Sequence, residues 1–235
     1  MTLRISADLP VLSNFLSSAS GTITAKMKFV RFTDRFHAGR LLADKLKEIL
    51  PSLKSPIVIG LPRGGIEVAY EIAKAINAPL DVIIVRKIGA PGNPEYAIGA
   101  LAETGELLLS QEGTAYKDFI EKARQREQEK IEHYKRIFRH DRKISELHDR
   151  SVIITDDGVA TGFTFKSAVK AIRALTPFEV IAAIPVAPLD VAEEIEEMVD
   201  RLIILEKPVS FFAVSQFYAV FFEHEDEFYR NLLAQ

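Results

Sequence analysis

Cysteine is missing from all 235 positions. That excludes a disulfide framework, a thiolate zinc site and a cysteine nucleophile, and it fits a cytoplasmic protein. Neither sign of charge dominates. Thirty Lys and Arg face 33 Asp and Glu, a formal net charge of -3, so no global field points to nucleic acid or to a membrane surface. No stretch reaches the ~20 apolar residues that cross a bilayer. Internal repeats and long low-complexity tracts are lacking too. The five histidines (His37, His133, His140, His148, His224) show neither metal-ligand spacing nor a paired-base arrangement. No Gly-x-Gly-x-x-Gly follows a strand and no Gly-x-Ser-x-Gly elbow is present. Lys166 is misplaced relative to Gly158 and Gly162 for a phosphate-binding P-loop.

What is there is the composition of a globular chain, 48% hydrophobic and 27% charged, long enough for one sizeable core with appendages. The first 26 residues hold two short apolar clusters and a Ser/Thr-rich run. They lack the long apolar centre and strong basic start of a secretory signal, and are expected to form a poorly ordered extension. An α/β domain is expected over 27–205, and a small aromatic-rich cap, with Phe211, Phe212, Phe217, Tyr218, Phe221 and Phe222, over 206–235.

Between these limits, apolar runs alternate with amphipathic ones. Thr33 or Asp34 can cap a helix over about 34–50, which Pro51 stops. Strands are expected at 57–61, 80–85, 151–155, 179–186 and 202–205, as short continuous apolar runs buried on both sides. Helices are expected at 66–76, 162–175 and 188–199. A long charged helix over about 114–140 carries mixed signs, as a solvated face with i,i+4 pairs would. The Gly/Pro-rich stretch 88–110 reads as a loop and an antiparallel hairpin. The pattern predicts an α/β fold: an open parallel, mixed-edge twisted sheet with helices on both faces.

Two strand ends carry chemistry. After 151–155 comes Asp156-Asp157-Gly158-Val159-Ala160-Thr161-Gly162-Phe163-Thr164. A buried strand there delivers two carboxylates, and the turn aims backbone N–H groups and hydroxyls at an anion from a helix N-terminus. One compact site can thus hold a diol through its acids and a phosphate through its turn. The second end is Leu61-Pro62-Arg63-Gly64-Gly65, whose glycines permit close backbone approach and whose arginine can clamp phosphate oxygens. Arg86-Lys87 ends the 80–85 strand as a basic pair.

Residues 155–164 resemble the phosphoribosyl pyrophosphate (PRPP) signature of the type I phosphoribosyltransferases. With 28–222 as a whole, and 32–39, 61–65, 85–103 and 208–218 in particular, they resemble a predicted bacterial and archaeal branch of unsettled substrate. Ser215 and Phe217 depart from it, standing where the branch more often has glycine and tryptophan. Some members carry a fused hydrolase domain, which is not expected within these 235 residues. The resemblance implies transfer of 5-phosphoribosyl from PRPP to a nitrogenous, base-like acceptor with release of pyrophosphate. Asp156 and Asp157 would bind the ribose hydroxyls, and Ala160, Thr161, Gly162, Phe163 and Thr164 the 5-phosphate. Arg63, Gly64 and Gly65, with Lys87 as helper, would take the pyrophosphate, in a loop that in the family often carries a cis non-proline peptide. No metal ligand set is implied; Mg²⁺ is expected through pyrophosphate, ribose and water. A cover over 90–115 would shield the chemistry. The aromatic tail can stack on the acceptor or form a packed mini-core. A non-catalytic sensor of PRPP or nucleotide is the competing reading. Partners are expected to be small molecules, with neither nucleic acid nor membrane, and a homo-oligomer is compatible with the apolar surface of the tail and long helix.

Overall fold

The computed structural model describes residues 31–234. The extension expected over 1–26 lies outside the described residues. In chain order the elements are α1 (Arg35–Leu46), β1 (Ile57–Gly60), α2 (Gly64–Ile76), β2 (Leu80–Val82), β3 (Val85–Ala90), β4 (Asn93–Ala102), β5 (Leu107–Leu109), α3 (Lys117–Arg139), β6 (Ser151–Thr155), α4 (Phe163–Ala174), β7 (Glu179–Val186), α5 (Leu189–Glu196), β8 (Arg201–Glu206) and α6 (Asp226–Leu233). Among them no helix is long and apolar enough to cross a membrane.

Five strands form one parallel sheet in the order β2-β1-β6-β7-β8. Its strands are apolar on both faces, and period-two alternation sorts their side chains. Ile57, Ile59, Val152, Ile154, Val180, Ala182 and Ile184 pack against α4 and α5 through Phe165, Val169, Ile172, Val191 and Ile195. Val58, Ile153, Ile181 and Ala183 point the other way, onto Leu42, Leu46, Val68 and Ile72 of α1 and α2. Asp34 caps α1 by accepting the His37 N–H at 2.7 Å. The expected parallel sheet with helices on both faces is therefore the core of the molecule.

The region after β2 differs from the reading of one strand over 80–85. Ile83 N–H still donates to Gly60 on β1, but Ile84 N–H donates to the Glu103 carboxylate at 2.9 Å. At that switch the chain leaves the parallel sheet. Val85–Ala90 becomes the first strand of a separate three-stranded antiparallel sheet, β3-β4-β5. Pro91 and Gly92 make the first tight turn, Gly92 with φ +78°. Much of 90–115, expected as a Gly/Pro-rich cover, is thus ordered strand and hairpin. This sheet shares a core with α3 and α6 through Ile88, Ile98, Leu101, Ile120, Ile131, Phe138 and Tyr229. The last helix, α6, is absent from the sequence reading. The residues before it form a small cluster of Phe217 and Tyr218 against Phe32, Ala38 and Val186.

Candidate active site

β1 and β6 are neighbours, with Gly60 opposite Thr155. Both strands therefore end at the same place on the sheet edge, where α/β folds gather ligands. The two following loops are pressed together, which accounts for two glycines. A Cβ on Gly64 would stand 2.1 Å from Asp157 Oδ2, and one on Gly65 3.0 Å from the Asp156 Cα. The Pro62–Arg63 peptide is cis. α2 begins at Gly64 with no side-chain cap; Ile66 N–H turns back to the Arg63 carbonyl at 3.0 Å, and the helix dipole lies toward the cleft that Gly64 lines.

The acidic pair is held by one oxygen each. Asp156 Oδ1 accepts from Asp157 N–H at 2.8 Å, and Asp157 Oδ2 accepts from Arg35 Nε at 2.7 Å. The other two oxygens have no hydrogen-bond partner among the described residues. Tyr218 steadies the backbone by donating to the Asp157 carbonyl at 2.5 Å. Burial raises both carboxyl pKa values; the Asp157 charge adds to the rise at Asp156, while the Arg35 guanidinium opposes it at Asp157.

Arg35 was not singled out by its sequence. Only 4% exposed, it touches Asp157, reaches Glu67 Oε1 at 3.4 Å, donates to the Phe222 carbonyl at 2.5 Å and lies 4.0 Å over the Phe221 ring. A signal existed. Arg35, Ala38, Gly39 and Leu42 occupy i, i+3, i+4 and i+7 of α1, so the charge falls on the buried face. Glu67, behind Arg35, is pushed up to about 7, chiefly by burial, with Arg35 pulling the other way. A carboxyl raised in the folded state favours folding at low pH. That contribution is lost as pH climbs from the ordinary glutamate value through about 7. Glu67→Gln removes the loss. Its stability relative to the parent is expected to be higher at pH 8 than at pH 5 in thermal melts; identical pH slopes would contradict this.

The signature turn forms the N-terminus of α4. Gly162, at φ +78°, is its N-cap without a side-chain cap. Ala160, Thr161, Gly162 and Phe163 line a small hollow of ≈ 200 Å³. A larger open cleft of ≈ 950 Å³ is bordered by Arg63, Gly64, Lys87 and Asp157. The two spaces share Asp156 and Thr164. Gly65 lines neither and instead backs its loop against Asp156 and the Thr155 carbonyl. Arg63 does not point freely into the cleft. It pairs with Glu223 at 2.7 Å and approaches the Tyr134 hydroxyl at 3.3 Å. Its contact with Asp226, at 3.0 Å, is one of charge without hydrogen-bond alignment. These C-terminal carboxylates were also missed. Of the tail aromatics, Phe217 and Tyr218 are buried, Phe211 stacks on Phe217 at 5.6 Å, Phe221 lines the cleft and Phe212 is 90% exposed. Phe211, Phe217 and Tyr218 are therefore packed mini-core, while Phe212 and Phe222 are exposed.

A strand-end acidic pair and a glycine loop thus share one cleft at the carboxyl ends of a parallel sheet, where open α/β folds gather ligands. The family model for the phosphoribosyl transferase domain matches residues 33–219, and the chain belongs to that family. A Mycobacterium tuberculosis H37Rv protein, Rv0571c, provisionally named a phosphoribosyl transferase, is 41% identical over 201 residues, covering 83% of this chain. The alignment covers 45% of that protein, so the chain spans under half the length of the curated relatives it matches. The protein TT1426 of Thermus thermophilus, known as a crystal structure, is 38% identical and superposes with a TM-score of 0.71. That match covers 87% of this chain and 98% of TT1426.

Proposed function

We propose that the protein transfers 5-phosphoribosyl from PRPP to a nitrogenous acceptor and releases pyrophosphate. The observation that carries this reading is the meeting of hollow and cleft at Asp156 and Thr164. A ribose at that junction places its 5-phosphate over 160–164 and its diphosphate toward Arg63 and Gly64. The two unbonded carboxylate oxygens, one from each aspartate, match its two hydroxyls. The C1–O bond breaks with its electrons leaving on pyrophosphate, the acceptor nitrogen forms the new C1 bond, and its proton passes to solvent. Asp156 and Asp157 position the ring and lie near the positive charge that develops on it. The α2 N-terminus and Arg63 take up negative charge on the leaving group. The 5-phosphate is a remote handle.

Mg²⁺ would be held through diphosphate and ribose oxygens and water, with Asp156 and Asp157 reaching it by way of the ribose hydroxyls they hold. Among the described residues no cluster of three or more potential ligands offers a cage. Bound there, the ion would screen diphosphate charge.

Asp157→Asn keeps the shape and removes the charge. Its affinity for Mg·PRPP is expected to fall on the order of tenfold or more, as for loss of a charge-assisted bond, with the fold intact. Unchanged affinity by calorimetry would remove the ribose assignment. The sensor reading draws support from Arg63 being engaged by Glu223 and Asp226. Magnesium-dependent pyrophosphate release with a panel of bases separates the two. PRPP binding without turnover across the panel would favour the sensor.

A further inference from the structure

The long helix α3 reads as a solvated element because Lys, Arg and Glu alternate along it. In the fold those charges are sorted by face. Ile120, Ala123, Ile131 and Phe138 are buried in the core shared with the antiparallel sheet and α6. Phe119, Arg126, Lys130 and Tyr134 follow one another at intervals of seven, four and four, which is one stripe of a helix. Phe119, Arg126 and Lys130 line the large cleft, and Tyr134 lines the small recess beside it, next to Arg63. The cleft thus has two unlike walls. One carries the acidic pair and the glycine loop; the other carries α3 and the basic pair of β3.

Charge on α3 is cancelled only in part among the described residues that line the cleft. Glu127, the carboxylate within it, is buried between Arg86 at 3.4 Å and Lys130 at 2.7 Å. It therefore faces two cations. Arg126 makes no ion pair among the described residues; its guanidinium lies 5.9 Å from the Phe119 ring centre. Among the described residues, six cationic side chains and four carboxylates border the cleft, Lys87 having an interaction of its own. Two of those carboxylates are the acidic pair; on the far side, with Lys87 set apart, Arg86, Arg126 and Lys130 stand against Glu127. None of the motif loops supplies Arg126 or Lys130.

We propose that Arg126 and Lys130 form an anion subsite on α3, facing the motif loops across the cleft, for a phosphate or carboxylate group that those loops do not reach. The inference rests on the transferase reading for the source of that group, but not for its chemistry. Two sources offer it: the distal phosphate of the leaving diphosphate, or an acid group on the acceptor. In either case α3 contributes specificity, a task its mixed-sign sequence hides. The open cleft keeps both side chains hydrated, so each contributes modestly and the two act best together on a multiply charged group.

The test uses the full chain and the double variant Arg126→Gln/Lys130→Gln, with Arg124→Gln, an exposed position on α3 outside the cleft lining, as control. Calorimetry with inorganic pyrophosphate and Mg²⁺, with ribose 5-phosphate, and with nicotinate against nicotinamide separates the sources. Loss on the order of tenfold for pyrophosphate, with ribose 5-phosphate unchanged, assigns the subsite to the diphosphate. Loss confined to nicotinate, with its uncharged amide unaffected, assigns it to the acceptor. Wild-type affinity of the double variant for both anions, or an equal loss in Arg124→Gln, overturns the proposal. Inorganic pyrophosphate asks nothing of Asp156 and Asp157 as ribose ligands. Failure of the ribose reading would show as an absence of ribose 5-phosphate binding in the parent, and the α3 subsite would still be judged on pyrophosphate.

Discussion

Replacing Arg35 by glutamine is expected to lower stability at pH 8 by about 3–5 kcal/mol, the cost of stranding buried charges without their partner, and to remove most ribose 5-phosphate affinity. One guanidinium meets Asp157, Glu67, the Phe222 carbonyl and the face of Phe221. Glutamine can reach one of these groups, not four. The variant then holds two carboxylates, Asp157 and Glu67, in a buried setting with no cation between them. Burial already raises both in the parent, and Arg35 is the charge that opposes the rise. Without it they rise further, and the sign of the pH effect follows. Carboxyls whose folded pKa exceeds the unfolded value give stability below the unfolded range, near 4. That stability is lost as pH rises through the folded value, about 7 for Glu67 even in the parent. The deficit of Arg35→Gln should therefore shrink from pH 8 to pH 5.5, where protons replace the missing cation. Urea unfolding at the two pH values measures it. A deficit below about 1 kcal/mol that ignores pH, the scale of an exposed pair, would mean that the cluster is wetter than its burial indicates. Arg35→Lys tests the geometry, since an ammonium cannot serve Asp157 and the Phe222 carbonyl in the same fork.

The parts of the site legible in the sequence are those whose causes are local. The strands expected at 57–61 and 151–155, found at Ile57–Gly60 and Ser151–Thr155, announce themselves because they are buried on both faces, and a continuous apolar run needs no partner to be recognised. Gly162 marks a helix start, the helix expected from 66 begins two residues earlier at Gly64, and Asp156-Asp157 sits directly after its strand. The features that escaped depend on groups far along the chain. The break between β2 and β3 needs Glu103 to accept the Ile84 N–H across 19 residues. Arg63 finds Glu223 across 160. Arg35 meets Asp157 across 122, and only its position on the apolar face of α1 hinted that it was held inside. The cap was legible as a cluster of aromatics, but which rings pack and which face outward depends on Phe32, nearly two hundred residues earlier. α6 is eight residues long, too short for periodicity to speak without the α2–α3 groove it fills.

Arg63→Ala is expected to lower kcat/KM for PRPP on the order of 10²–10³-fold, the usual scale for removing one donor to a developing anion. Affinity for a nucleoside monophosphate should barely change. On the proposed placement, a monophosphate product would touch the acidic pair and the 160–164 turn, and it has no diphosphate for Arg63 to hold. The guanidinium must first leave Glu223, whose side chain is 62% exposed, and Asp226, whose contact lacks hydrogen-bond alignment. Exposed pairs of this kind contribute about 1 kcal/mol at most. A bidentate, charge-assisted contact with diphosphate contributes about 1.5–3 kcal/mol, so the ligand wins the exchange. The same inequality fixes the opposite variant. Glu223→Gln frees part of Arg63 and should tighten pyrophosphate binding by up to about fivefold, the equivalent of 1 kcal/mol, while leaving ribose 5-phosphate alone. Titrating both ligands into both variants closes the test. If Arg63→Ala loses equally on pyrophosphate and on the monophosphate, the guanidinium belongs at the ribose end of the cleft, and the glycine loop cannot be the one that receives the leaving group.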